Sequence, residues 1–147
     1  MRVAGMVAPM KKILVAVDGS EPSLHAAKMA QSLATATGAT LTVAYSVPPM
    51  LIPGEVPFTV VTDVVKAEVV RGKRLLDEVA KALGNPQLNT LELEGPPAER
   101  IAEVAEAEGF DLVVVGSRGR NAVARLFLGS IADRLVHICR KPVLVVR

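Results

Sequence analysis

The chain has 147 residues, of which 50% are apolar and only 3% aromatic, and its formal net charge is +2. This length predicts one domain that buries roughly two thirds of its chain surface. Acidic and basic residues are interspersed, and no basic stripe with interleaved aromatics is present, which argues against a nucleic-acid partner. A core of Val, Leu, Ile and Ala is typical of buried parallel strands flanked by helices.

Membrane association and a disulfide framework are both disfavoured. Residues 29–54 carry no charge, but Gln31, Gly38 and the prolines near residue 48 are incompatible with a spanning helix. The single cysteine, Cys139, excludes an internal disulfide and fits a reducing compartment. We therefore expect a cytoplasmic protein without a membrane partner.

Apolar runs alternate with amphipathic segments along the whole chain. The turn DGSEPS after the first run offers Ser20, with Ser23 as a second candidate, as the cap of the first helix. In chain order the expected elements are strand 13–17, a helix from Ser20 to about 37, strand 41–47, loop 48–61, helix 62–83, strand 88–94, helix 98–108, strand 111–115, helix 130–140 and strand 143–146.

This alternation predicts an α/β fold, namely a single-domain, Rossmann-like, five-stranded parallel sheet with helices on both faces. Ligands of such sheets sit outside the carboxyl ends of the strands, where the winding reverses. Asp18 follows the first strand and Gly116 follows the fourth, so both lie at carboxyl ends. If the two strands are neighbours, both residues face the expected crevice.

The loop at residues 48–61 (PPMLIPGEVPFTVV) is too apolar for a plain solvated linker. Its prolines argue against regular structure. Its large apolar residues are Met50, Leu51, Ile52 and Phe58. They could form a flap over a bound ligand or pack on the adjoining helix, and the sequence does not decide between these roles.

The segment GSRGRNAVARLFLGS at residues 116–130 is the candidate phosphate-binding segment. Gly116 and Gly119 would let backbone amides approach an anion, and Gly129 and Ser130 stand at the start of the last helix, where phosphate is favoured. The Ser130 hydroxyl could donate to a phosphate or cap its own helix. Positive charge nearby comes from Arg118, Arg120 and Arg125. The alternative is that the glycines serve only turns.

The chain resembles the universal stress protein family over residues 10–147, through KKILVAVDGSEPS at its start and GSRGRNAVARLFLGSIADRLVHICRKPVLVV at its end. The resemblance implies the strand order 3-2-1-4-5, ATP at the ends of strands one and four, and a homodimer. One branch of the family lacks the glycine pattern and does not bind ATP. Because the pattern is intact here, the chain looks like the binding branch. Residues 1–9 are expected to be a disordered leader to this nucleotide-binding domain.

Carried over by position, the resemblance implies a role for each matching residue. Asp18 would face the ribose and adenosine, beside Ala16 and Val17, and the backbone at Ser46 would read the adenine edge. Ser46 is polar where the family often has an apolar residue, and without the motif Asp18 reads equally well as a turn and cap residue. Val115 would precede the phosphate-binding residues, which are Gly116, Arg118, Gly119, Gly129, Ser130 and Ile131.

Several functions remain open at this stage. The leading hypothesis is a regulatory stress-response protein that binds ATP, with or without Mg²⁺, and the second is a slow ATPase or phosphotransferase. The sequence lacks G-x-x-x-x-G-K-[ST] and shows no carboxylate pair placed for magnesium, so rapid turnover is not expected. A dinucleotide-dependent oxidoreductase is disfavoured because DGSEPS replaces the glycine-rich first turn. A domain that only binds partners is the fourth hypothesis.

The implied strand order makes strands three and five the edges of the sheet. Strand three alternates, so Glu92 and Glu94 are expected to be solvated and to protect that edge. The last strand, residues 143–146, is apolar on both faces, and an uncovered edge of that kind invites pairing. The simplest closed solution is a homodimer of antiparallel fifth strands. Coverage by the leader or a loop is the alternative.

Overall fold

The computed structural model of the chain describes residues 9–48, 54–118 and 128–147. Strands and helices alternate along the described residues. In chain order they are β1 (Lys12–Ala16), α1 (Glu21–Thr37), β2 (Thr40–Val47), α2 (Phe58–Ala82), β3 (Asn89–Glu94), α3 (Pro97–Ala107), β4 (Leu112–Gly116), α4 (Ser130–Ile138) and β5 (Val143–Val146).

The strands form one parallel sheet in the order β3-β2-β1-β4-β5. This confirms the predicted fold class and strand order. β1 lies at the centre, where Ile13 pairs with Leu41 of β2 on one side and with Leu112 of β4 on the other. Because β1 is paired along both edges and covered on both faces, its sequence is a continuous apolar run.

Two hydrophobic cores lie on opposite faces of the sheet. Ile13 and Val15 of β1 belong to the core that includes Ala30 of α1 and Leu76 of α2. Leu14, which points to the other face, belongs to the core that includes Leu135 of α4. The helices therefore cover both faces, as the alternation along the chain predicts.

The second helix begins earlier than its sequence pattern indicates. Helix α2 starts at Phe58, so residues 58–61 are helical and the predicted loop over residues 48–61 is too long. Pro57 precedes the helix with φ of −55° and ψ of 140°. A proline just outside a helix removes no bond from it, because the first amides have no partner within the helix. Residues 49–53 of the predicted loop lie outside the described residues.

The prediction that Glu92 faces solvent is wrong. One of its carboxylate oxygens, Oε1, is buried, and it lies 3.2 Å from where a Cβ on Gly72 would stand. Helix α2 packs over β2 and β3, and it covers the face of β3 to which Glu92 points. Glu94, beyond this cover, is exposed as expected.

Asp111 joins the amino ends of β1 and β4. Its Oδ2 accepts hydrogen bonds from the backbone N–H groups of Lys11 and Lys12, at 2.8 and 2.9 Å. The bond from Lys11, followed by that from Lys12, lowers the pKa of the Asp111 carboxyl below its usual range. This carboxylate stabilises the start of the central strand pair, because both bonds favour its charged form.

We expect the Asp111→Asn variant to be less stable than the wild type at pH 7 by about 1 kcal/mol, a modest cost because solvent screens the charge. Since folding lowers the pKa, the carboxylate's contribution is present above the unfolded pKa of about 3.9 and is lost as the pH falls through the folded value. Urea denaturation from neutral to acidic pH measures this difference, with Asp77→Asn, at an exposed position of α2, as the control. A stability difference that persists undiminished in acid would contradict the assignment.

Candidate functional site

A cleft with a volume of about 420 Å³ opens at the carboxyl ends of β1, β2 and β4. β1 is the strand from which the chain winds outward in both directions, through β2 to β3 and through β4 to β5. Crevices of this kind, where the winding reverses, are the usual ligand sites of parallel α/β sheets.

Ten of the eleven residues predicted for the site line this cleft. The eleventh, Gly119, lies outside the described residues, as do Arg120 and Arg125. The lining residues from the prediction are Ala16, Val17, Asp18, Ser46, Val115, Gly116, Arg118, Gly129, Ser130 and Ile131. The fold therefore brings together residues from three strand ends and the start of α4, and their role toward a ligand stays a prediction.

The strand β2 extends beyond the end of β1. The two strands pair as far as Ala16 and Ala44, and the N–H of Val17 donates to the carbonyl of Ala44 at 2.9 Å. Backbone groups two residues apart along a strand point to the same side, so the N–H and C=O of Ser46 face the cleft past the end of β1. The Ser46 hydroxyl donates instead to the carbonyl of Gly95, at 3.0 Å. Because the Ser46 hydroxyl is bonded to Gly95, the polar side chain does not prevent the backbone N–H and C=O of Ser46 from facing the cleft.

Asp18 holds the turn between β1 and α1. Its Oδ1 accepts a hydrogen bond from the N–H of Ser20 at 2.9 Å, and its own N–H lies 3.3 Å from the hydroxyl oxygen of Ser23. Ser20 is the N-cap of α1, with its hydroxyl oxygen 3.2 Å from the N–H of Ser23. The turn reading of Asp18 is therefore correct, and the same residue also lines the cleft.

Gly116 owes its missing side chain to packing. A Cβ at this position would stand 2.9 Å from the backbone carbonyl carbon and oxygen of Pro22, and 3.0 Å from the backbone nitrogen of Ser23. The end of β4 thus lies directly against the first turn of α1. The structure therefore gives Gly116 a packing role against α1, and its predicted role in the approach of an anion stays a prediction.

The start of α4 forms one end of the cleft. Gly129 is its N-cap, and no described side chain caps this end. The Gly129 N–H donates to the carbonyl of Ser117 at 2.6 Å, which joins the start of α4 to the end of β4. Ser130, the first residue of the helix, is exposed and lines the cleft together with Arg118. Unpaired first-turn amides, a hydroxyl and a guanidinium make this end suited to an anion.

Helix α2 supplies a wall that the sequence argument did not include. Glu68 and Arg71 line the cleft beside Tyr45 of β2. The Nη1 of Arg71 lies 3.6 Å from the Oε1 of Glu68, and the two side chains are 45% and 24% exposed. This pair belongs to the end of the cleft formed by β2, away from the start of α4.

Gly72 sets how closely α2 approaches the sheet. A Cβ on Gly72 would stand 2.6 and 2.7 Å from two ring carbons of Tyr45, so the helix passes directly over this ring. A glycine within a helix costs about 1 kcal/mol relative to alanine. Gly72 was therefore the signal in the sequence that could have identified the α2 wall.

Helices α3 and α4 form the remaining wall and are tied together at the surface. Arg134 of α4 donates from Nε to Oε1 of Glu99 in the first turn of α3, at 2.9 Å. This bond, with one from the backbone of Glu99, lowers the pKa of the Glu99 carboxyl. Ile101 of α3 and Ile131 of α4 line the cleft behind it. The wall facing the ligand space is apolar, while its charges lie outside.

Two further statements apply to residues 9–48, 54–118 and 128–147. No three His, Cys, Asp or Glu side chains in these ranges are grouped so that they could hold a metal ion. No helix in the same ranges has the length and apolar character needed to cross a membrane.

Comparison with known proteins gives one consistent result. The sequence model of the universal stress protein family matches residues 9–147 of this chain. A universal stress protein of Thermus aquaticus is 37% identical over 137 residues, which cover 93% of this chain and 98% of that protein.

Solved structures agree with the sequence matches. The universal stress protein UspA of Lactobacillus plantarum is 27% identical and superposes with a TM-score of 0.84, covering 96% of this chain and 100% of the other. A universal stress protein solved in complex with cAMP is also 27% identical, with a TM-score of 0.69 and coverage of 95% and 99%.

The contact between Gly72 and Tyr45 predicts an unusual sign for a helix mutation. Gly72→Ala raises helix propensity, which alone would stabilise the protein by about 1 kcal/mol. Because the new Cβ would clash with the Tyr45 ring, we expect the variant to be less stable than the wild type by about 1–2 kcal/mol. In a Tyr45→Ala background the same change should be stabilising. Urea denaturation of the four proteins measures both effects, and stabilisation in the wild-type background would refute the close approach.

Proposed function

The chain belongs to the universal stress protein family, and we propose that it binds ATP in the cleft as a regulatory nucleotide-binding protein without rapid turnover. The nucleoside lies against β2 in this proposal, and the phosphates lie against the start of α4. Asp18, in the turn between the two, lies beside the ribose. In this proposal ATP binds with or without Mg²⁺ on its phosphates.

The observation that carries the proposal is the polarity of the cleft. At one end the peptide edge of Ser46 offers a donor and an acceptor past the end of β1, which matches the hydrogen-bonding edge of a base. At the other end the uncapped first turn of α4, Ser130 and Arg118 favour negative charge. Between them lies apolar wall from Ile101 and Ile131, which suits a flat base and a sugar.

The comparisons support the class of ligand. The universal stress protein solved with cAMP carries an adenine nucleotide on the same fold at 27% identity. Adenine with a 5′-phosphate chain also fits the separation of the two polar ends, since β2 and β4 flank β1 at roughly 10 Å from each other. A cytoplasmic location is part of the proposal and rests on the single cysteine.

We expect calorimetry to detect ATP binding by the wild type, and Ser130→Ala to weaken it about tenfold through loss of one hydrogen bond to a charged group. Gly129→Val should weaken it further, because a branched side chain would stand at the uncapped helix start. Ser32→Ala, at an exposed position of α1, is the matched control and should bind like the wild type. Equal affinity of all four folded proteins for ATP would contradict the assignment of the phosphates to the start of α4.

We also propose a homodimer through β5. This strand pairs with β4 along one side, and its residues, all apolar, are each only partly buried. Since β5 is the last strand in the sheet order, its outer edge offers backbone donors and acceptors to another chain. Two such edges pair symmetrically as antiparallel strands.

Val145→Lys should convert a wild-type dimer into a monomer, because the edge charge opposes strand pairing with a second copy. Light scattering measures the mass, and circular dichroism checks that the variant is folded. Thr90→Lys puts the same charge on the exposed opposite edge, in β3, and should leave the dimer intact. A wild-type protein that stays monomeric at micromolar concentration would overturn this part of the proposal.

A further inference from the structure

The wall contributed by α2 brings a carboxylate into the cleft. Glu68 lines the same cavity as Ser46 and Asp18, and its side chain is only 24% exposed. Acidic groups oppose an anionic ligand, so a carboxylate inside such a cleft requires a reason for its position. Two features of its surroundings supply one.

The first feature is where Glu68 stands. Helix α2 packs against β2 and β3, whereas Arg118, Gly129 and Ser130 follow β4, on the opposite side of β1. Glu68 therefore lies on the β2 side of the cleft, across β1 from the anion-favouring start of α4. With phosphates at α4, the β2 side holds the nucleoside, whose ribose carries hydroxyl groups.

The second feature is how Glu68 is held. The guanidinium of Arg71, one turn along the helix, lies 3.6 Å from its Oε1. Helix α2 is itself held against Tyr45 through the contact at Gly72. An ionised carboxylate has about four acceptor positions, so one ion pair leaves most of its capacity for other donors.

We propose that Glu68 is a specificity-determining residue whose carboxylate accepts a hydrogen bond from a ribose hydroxyl of the bound nucleotide. Arg71 acts as a positioning residue that keeps the carboxylate at the wall of the cleft. The proposal rests on the proposed function, since it assumes the nucleotide orientation described above. A carboxylate that accepts from ribose hydroxyls is a known solution in nucleotide-binding α/β folds, and here it would come from a helix on the far wall.

The test compares ATP with 2′-deoxy-ATP and 3′-deoxy-ATP by calorimetry. We expect the wild type to bind at least one deoxy analogue about tenfold more weakly than ATP, the factor that a hydrogen bond to a charged acceptor is worth. Glu68→Ala should bind ATP about tenfold more weakly and should no longer distinguish ATP from that analogue. Glu68→Gln keeps the size of the side chain and a weaker acceptor, so its affinity for ATP should fall between those of the wild type and Glu68→Ala. This variant also guards against a folding defect.

Glu78→Ala is the matched control, because it removes the same charge from an exposed position of the same helix away from the cleft. It should discriminate as the wild type does. If the wild type binds ATP and both analogues equally, or if Glu68→Ala still discriminates, the inference is overturned while nucleotide binding stands. If the wild type binds no ATP, the proposed function fails and the inference fails with it.

Discussion

The cleft depends on the unequal lengths of two neighbouring strands. β1 stops pairing with β2 at Ala16 and Ala44, whereas β2 continues to Val47, so one backbone edge of β2 faces open space. The turn at Asp18 then directs the chain into α1, whose first turn lies directly against Gly116 at the end of β4. The turn at Asp18 therefore lies between the ends of β2 and β4, which β1 holds in place through its pairing with both strands.

Helix α2 depends on a second close contact, between Gly72 and the ring of Tyr45. This contact brings the helix down onto β2 and β3, and it has two consequences. It buries Oε1 of Glu92, which a looser helix would leave in solvent. It also sets two residues at the wall of the cleft, Glu68 one turn before the glycine and Arg71 directly before it. The absence of a side chain at Gly72 therefore determines both the packing of α2 on the sheet and the position of the charged residues in the cleft wall.

The distribution of charge gives the cleft a direction. The start of α4 combines a helix N-terminus with Ser130 and Arg118, which together attract an anion. The wall at β2 presents the carboxylate of Glu68 paired with the guanidinium of Arg71, so this wall lacks a net positive charge. The proposed nucleotide, with its phosphates at α4 and its nucleoside at β2, matches this distribution of charge. The proposed nucleotide site and the proposed contact between Glu68 and the ribose both rest on this arrangement of charge.

The sequence by itself determined the element order and the parallel sheet, because apolar periodicity and turn residues are local signals. Ser20 as the cap of α1 and the ends of β1 and β4 followed from such signals. The strand order and most of the residues predicted for the cleft were implied by the resemblance to the universal stress protein family. The burial of Glu92, the wall of Glu68 and Arg71, and the packing role of Gly116 were decided only by tertiary structure. Each depends on a contact between residues far apart in the chain, where the distance between two backbones decides what a side chain contacts. The alternation of residues along one strand does not show which helix covers that strand.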